Sequence, residues 1–298
     1  MDNLLEQIKQ LHNVPQGAYS IRENGKSKIN STEQIKIVAN NTKNGINVYV
    51  KKGTKNKSLH IPVIVSQGGF EELVYNNFYI EDNCEVTIVG SCGIHNNSSQ
   101  PSQHNGVHTF HVGKNCTINY YEKHLAIGDT KNSLNPITKI FVKENSVFNI
   151  ETHQLGGVKK SKRTTYATLY NNAKLNIIEK ILTDKDDTAK TNFKVKLKGV
   201  DSSVQVTSRS VAKDNSCQEF TSTVVGDNKC YGRIECDGIC INNAKLISTP
   251  KVVCNHTDAT LTHEASIGKI AGEQLVKLMT LGLDKNQAED MIIKGFLK

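Results

Sequence analysis

The stretch FYIEDNCEVTIV, Phe78 to Val89, holds two short runs of alternating apolar residues joined by a polar break and a small residue, Cys84. The same arrangement returns in FHVGKNCTINYY (110–121), IFVKENSVFNIE (140–151), ATLYNNAKLNII (167–178) and KLKGVDSSVQVTS (196–208). Alternation with a period of two marks strands with one buried face. The small residues are Cys84, Cys116, Ser146, Ala173 and Ser202, spaced 32, 30, 27 and 29 apart. A position that admits only small side chains suits the inside of a corner. A repeat near 30 residues built of short strands, with almost no helical pattern between them, reads as a stack of coils. A β-sandwich also strings short strands between turns, but the regular small corner residue selects an all-β core folded as a parallel β-helix, a β-solenoid.

The ends break this pattern. Leu4, Leu5, Ile8 and Leu11 fall at helical spacing, and the tail predicts two short helices, 271–281 and 285–297, with Gly282 stopping the first and Asp284 capping the second. Pro250 marks the expected joint. The organisation predicted is an N-terminal helical segment (1–15), a β-helix core (16–250) and a C-terminal helical region (251–298).

Composition narrows the function classes. A formal charge of +8 over 298 residues suggests an acidic partner. Yet only four basic residues are arginine, Trp is absent and aromatics are 6%. Nucleic-acid readers concentrate arginine and stacking rings, so no nucleic-acid partner is expected. No run approaches the roughly 18 apolar residues of a membrane span, and the N-terminus lacks the apolar core of a signal peptide. A cytoplasmic protein with no membrane partner is therefore expected, and its eight cysteines are read as thiols that are buried or chemically used. None forms a C-x-x-C pair, which disfavours a structural zinc site.

Three stretches could carry chemistry. In GRIECDGICINNAKLISTP (232–250), alternation places Ile234, Cys236, Gly238 and Cys240 on one face and Glu235, Asp237 and Ile239 on the other. Spacing alone leaves Cys236 and Cys240 open between a packing and a chemical role. In THEASIGKIAGEQL (262–275), His263 and Glu264 stand side by side where a helix is expected to begin, with Thr262 or Ser266 as its cap. In an extended chain the two would point opposite ways, and both could reach one ion only if the backbone turns there. In HNGVHTFH (104–111), strand alternation turns His108 inward with Phe110 and Val112 and His111 outward, so the three histidines do not converge. No Walker A motif, GxSxG or dinucleotide fingerprint occurs, and no carboxylates pair as an acid and a base about a saccharide bond. The chain does not read as a self-sufficient enzyme. A carbohydrate-active β-helix would need aromatic platforms and clustered acids on one outer face, and the sequence displays neither pattern.

The tail HEASIGKIAGEQLVKLMTLGLDKNQAEDMIIKGFL (263–297) resembles the C-terminal signature of the SufB/SufD family, scaffold proteins of the SUF iron–sulfur cluster assembly system. ECDGICI (235–241) resembles the family's Cys-Asp strand, and a thinner likeness runs through VYNNFYI (74–80) and LNPITKIFV (134–142). The resemblance implies a right-handed parallel β-helix with helical ends. It implies a transient iron–sulfur cluster at a dimer interface, ligated by Cys236 and Glu264 with His263 adjoining. Thr262 departs from the acidic residue some SufB members carry there. Implied partners are a SufC-type ABC ATPase that performs the ATP hydrolysis, a sulfur donor and apo-protein acceptors. The ATPase would dock on the apolar faces of the tail helices, at Leu275, Leu278, Met279, Met291 and Phe296. The chain resembles a compact homologue that pairs with itself. A SufB/SufD-type heterodimer, with this chain as a non-ligating SufD-like subunit, is the alternative. The segment 230–250 is the expected pairing strand.

Overall fold

The computed structural model describes residues 17–95, 98–127 and 132–298; the helix expected over 1–15 lies outside the described residues. Two sheets face each other across one core. Neighbour to neighbour, the first is β2 (Lys26–Asn30), β1 (Ala18–Glu23), β5 (Lys57–Val65), β7 (Glu85–His95), β9 (Thr117–Ile127), β12 (Val147–Leu155), β14 (Lys174–Thr183), β16 (Ser202–Ala212), β18 (Cys230–Cys240) and β20 (Ala259–Gly268). The second begins with β3 (Ile35–Ala39), β4 (Gly45–Val50), β6 (Glu71–Ile80) and β8 (Gln103–Val112). It continues through β10 (Ser133–Leu134) with β11 (Ile137–Val142), then β13 (Lys160–Leu169), β15 (Thr188–Leu197), β17 (Cys217–Gly226) and β19 (Lys245–Cys254). From β4 onward the chain visits the two sheets in turn and each new strand lies parallel on an earlier coil, which is the expected β-solenoid.

The corners explain the repeat. Asn83, Asn115, Asn145, Asn172 and Asp201 all take positive φ, between 53° and 62°. Asn and Asp tolerate this left-handed conformation best after glycine. The turn aims the next side chain into the coil, where Cys84, Cys116, Ser146, Ala173 and Ser202 are at most 1% exposed. Size is not their only qualification. The Cys116 amide donates to Ser146 Oγ at 2.9 Å, and Ser146 Oγ donates to the Gly113 carbonyl at 2.7 Å, so the hydroxyl closes backbone groups that the corner leaves open. Asn135 and Pro136 split one strand into β10 and β11 because proline has no amide for the ladder.

The two ends of the stack differ. At the start, β2 and β3 fold back antiparallel on β1 and β4, and β2, sequence KSKIN, is exposed throughout and rich in lysine. Such a strand blunts an edge. At the far end β19 and β20 each have, among the described residues, a single hydrogen-bonded neighbour, β17 and β18. The coil therefore runs beyond the boundary expected at Pro250, which sits inside β19. Proline is tolerated there because this strand lies on the edge of its sheet. The THEAS segment is likewise strand β20 rather than a helix start. Helix α1 (Gly272–Thr280) and helix α2 (Lys285–Phe296) follow, separated by Gly282 at φ +95°, with Asp284 and Gln287 forming a reciprocal capping box.

Candidate functional site

Cys236 lies midway along β18 and points into the last full coil, 5% exposed. In the β18–β20 ladder Ile234 is opposite His263, Glu235 opposite Glu264, and Cys236 opposite Ala265. His263 therefore shares the inward face with Cys236, and its Nε2 lies 3.4 Å from Cys236 Sγ. Glu264, the next residue along an extended strand, faces the other way. It is 66% exposed and accepts from Arg233 Nη2 at 3.2 Å, while the same guanidinium pairs with Glu235. The backbone does not turn at the pair, so one chain brings Cys236 and His263 together and sends Glu264 to the outer face. Among the described residues no group of three or more His, Cys, Asp or Glu side chains is arranged to hold a metal ion.

Burial sets the protonation of the pair. It pushes the Cys236 thiol up to about 12, and the carboxylates of Glu179 and Asp237 add to this. Burial also lowers His263 below the ordinary imidazole value. Near neutral pH the site is thus a thiol beside a neutral imidazole, both able to bind a soft or borderline metal once the thiol proton leaves. A small cavity opens beside them, lined by Glu179, Ser208, Phe220, Ser248 and Ile267.

Cys236 ends a row that runs down the inside of the first sheet. Register places Gly90, Glu122, Thr152, Glu179, Ser208 and Cys236 on successive strands. All are buried, and a buried carboxylate needs a partner. Arg163, 6% exposed, supplies it from the facing sheet. Its Nη1 donates to Glu122 at 2.5 Å and its Nε lies 3.8 Å from Glu179. Although burial alone would raise Glu122, the Arg163 and His124 charges hold it well below the usual carboxylate range. Burial dominates at Glu179 and raises it, although Thr191 and Ser208 both donate to its carboxylate.

Sequence reasoning missed this row, though a signal was present. Each member lies six residues after a corner position: 84 to 90, 116 to 122, 146 to 152, 173 to 179, 202 to 208 and 230 to 236. A polar residue recurring at one inward offset is an interior line, not scatter. Of the three histidines in 104–111, His104 and His108 are buried inside the coil and His111 is outside, as alternation predicts for the last two.

Two expectations are corrected by packing. Phe296 does not stand free for a partner; it packs with Ile293 of the same helix against Val211 and Ile241 of the solenoid. Its carbonyl also accepts from Arg209. Of the other named tail residues, Met279 and Met291 are exposed, 44% and 51%, while Leu275 and Leu278 are half-buried. An outer aromatic row, which the sequence did not reveal, also exists: Tyr49, Tyr79, His111 and Phe141 stack coil on coil, with ring centroids 5.1, 5.1 and 5.4 Å apart. The rings stack face to face along the coils, so their flat faces are largely spent on one another. Of the segment 230–250 expected to pair with a second copy, the β18 part already has β16 and β20 on its two sides, whereas 245–250 lies in the end strand β19. The free edges belong to β19 and β20.

Comparison with known proteins gives a consistent result. Residues 68–296 match the family model described as SUF system FeS cluster assembly, SufBD core domain. An iron–sulfur cluster assembly SufBD family protein of Methanocaldococcus jannaschii is 27% identical over 257 residues, covering 84% of this chain and 79% of the relative. One from Pyrococcus horikoshii is 26% identical over 281 residues, 90% of this chain and 83% of the relative. A third, from Archaeoglobus fulgidus, is 28% identical over 232 residues, 76% of this chain and 61% of the relative.

Proposed function

This chain belongs to the SufBD family of the SUF system and takes part in iron–sulfur cluster assembly; from that premise we propose that it is a scaffold holding a nascent cluster through Cys236 and His263 until a recipient takes it. The observation that carries this reading is the 3.4 Å approach of a thiol and an imidazole on the terminal coil. Iron must displace the thiol proton, so loading should strengthen as pH rises. One chain offers two convergent donors, and a second copy across a two-fold axis would supply two more. A mixed sulfur and nitrogen set holds a cluster less firmly than four thiolates, which suits cargo that must leave. In this reading β19 and β20 form the dimer face, where Ile247, Val252 and Ile267 are exposed. Glu264, paired with Arg233, would border the cluster from the outer face and ligate it only if β20 bends on dimerisation. A SufC-type ABC ATPase would dock on Met279, Met291 and the half-buried Leu275 and Leu278. A sulfur donor and apo-protein acceptors complete the cycle, in the cytoplasm.

The test is anaerobic reconstitution of the purified protein with ferrous iron and sulfide, followed by desalting, metal counting and absorption spectroscopy. Wild type should retain iron and sulfide, Cys236→Ser should lose them, and His263→Ala should retain less. Wild-type loading by Cys236→Ser would remove the assignment. The outward turn of Glu264 favours a second reading, the non-ligating SufD-like subunit. It predicts that the chain alone holds no iron and does so only with a SufB-type partner.

A further inference from the structure

The two sheets carry charge differently. On the outer face of β12, β14, β16, β18 and β20, four Lys or Arg side chains meet four carboxylates. On β11, β13, β15, β17 and β19 there are eight lysines and one carboxylate, Glu219. Glu219 pairs with Lys190 at 2.7 Å, and Lys196 reaches Asp227 at 3.2 Å. Lys139, Lys160, Lys162, Lys194, Lys245 and Lys251 remain exposed, with no ion pair among the described residues. The register even sets Lys162 directly across from Lys190. Like charges opposed in a sheet destabilise it, so this arrangement does not serve the fold.

Apolar rings sit among these cations. Tyr166 is 40% exposed and lies in the ladder between Lys139 and Lys194; Phe141 is 37% exposed one row away. Four strands of ten residues and one of six, about 4.8 Å apart, give a flat face of roughly 600 Å² in projection. One side of an ordinary protein interface covers about 800 Å². The two rings lie towards one end of this face, on β11 and β13, and aromatic side chains among charged ones are also a feature of such interfaces. Nucleic acid fits less well. The outer face of these strands has no arginine, Lys194 lies over the Tyr166 ring at 5.7 Å, and Phe141 is stacked on His111. Each ring is thus already engaged on one face, which leaves less surface for a base to stack on. We propose that the outer face of the second sheet, from β11 to β19, docks the acidic surface of a folded protein, with Phe141 and Tyr166 as its apolar anchors.

The site is separate from Cys236 and His263, which point into the coil, so it can be tested on the whole protein without any cluster. Three probes serve, followed by fluorescence anisotropy at physiological salt: a glutamate–tyrosine copolymer, poly-L-glutamate, and single-stranded DNA. The copolymer should bind most tightly. The variant K139E/K162E/K194E/K251E should lose about tenfold in affinity for it, and the charge-matched K26E/K28E/K57E/K174E on the first sheet less than about threefold. Equal losses would mean that binding reads net charge alone and would overturn the proposal, as would tighter binding of DNA. Acetylation footprinting of wild type needs no variant. With copolymer bound, Lys139, Lys162, Lys194 and Lys251 should be protected and Lys26 and Lys57 should not; uniform protection, or none, overturns it.

Discussion

At Asn172 the backbone φ is +53°, and the side-chain amide donates to Asn145 of the previous coil at 2.9 Å. The conformation costs a β-carbon residue about 1 kcal/mol unless a short polar side chain eases it. Asn172→Ala should therefore destabilise by about 1–2 kcal/mol and Asn172→Gly by clearly less, as read from urea unfolding. A second residue-scale prediction concerns His108, which is buried against Phe78 with a ring separation of 6.2 Å and is held down to about 4 by burial. The unfolded chain, with an ordinary imidazole near 6.5, takes up the proton first. Stability is thus complete above about pH 6.5 and drains away as pH falls towards 4, by about 2 kcal/mol at pH 5. His124, also lowered, drains in the same direction, whereas Glu179, raised by burial, titrates in the opposite sense. Comparing wild type with His108→Phe at each pH isolates the one group. The variant should lose about 2 kcal/mol less between pH 7 and pH 5 in urea titrations, and equal losses would show that His108 is not the titrating site.

Among the elements, the strands and their corners were legible because alternation and the small corner residue are local signals. Cys236, Ile234 and Gly238 face inward as alternation requires. Strand β20 was not legible, because Thr262, Ser266 and the adjacent acid imitate a helix start and Pro250 imitates a joint. Only the ladder to β18 decides the matter, and a ladder is a tertiary fact. The interior row was legible in principle, at a constant offset of six. The coil-to-coil register behind the Tyr49–Tyr79–His111–Phe141 stack was not, since the repeat varies from 27 to 32 residues. The helices divide by function in the same way. Helix α2 buries Ala288 and packs Ile293 against the solenoid, whereas α1 buries nothing, Val276 in it being 60% and Leu281 just past it 75% exposed. Met279→Asp with Leu281→Asp should therefore abolish pull-down of a SufC-type ATPase with far-UV circular dichroism unchanged. Phe296→Ala should instead cost stability, about 2–4 kcal/mol for a half-buried ring, as measured by urea unfolding. Retained ATPase binding by the double variant would place the partner elsewhere.

For the whole molecule, the decisive asymmetry is between a closed and an open end. A stack of coils needs a cap at each terminus or it will add another chain. The first coil is closed by antiparallel β2 and β3, with lysines along β2. The last presents β19 and β20 without outer neighbours, and Val252 (43%) and Ile267 (44%) stand exposed on them. The proposed pairing with a second copy there would satisfy the edge, cover these side chains and bring two Cys236–His263 pairs towards one axis. Val252→Lys with Ile267→Lys should then shift the protein from dimer to folded monomer in light scattering, because two buried ammonium groups facing their own copies cannot be paired. Val252→Lys alone, which does not line the cavity beside Cys236, should likewise retain far less iron after reconstitution than wild type, since each monomer is left with two convergent donors. A monomer that holds iron as well as the dimer would mean that a single chain suffices, and the two-fold site would have to be abandoned.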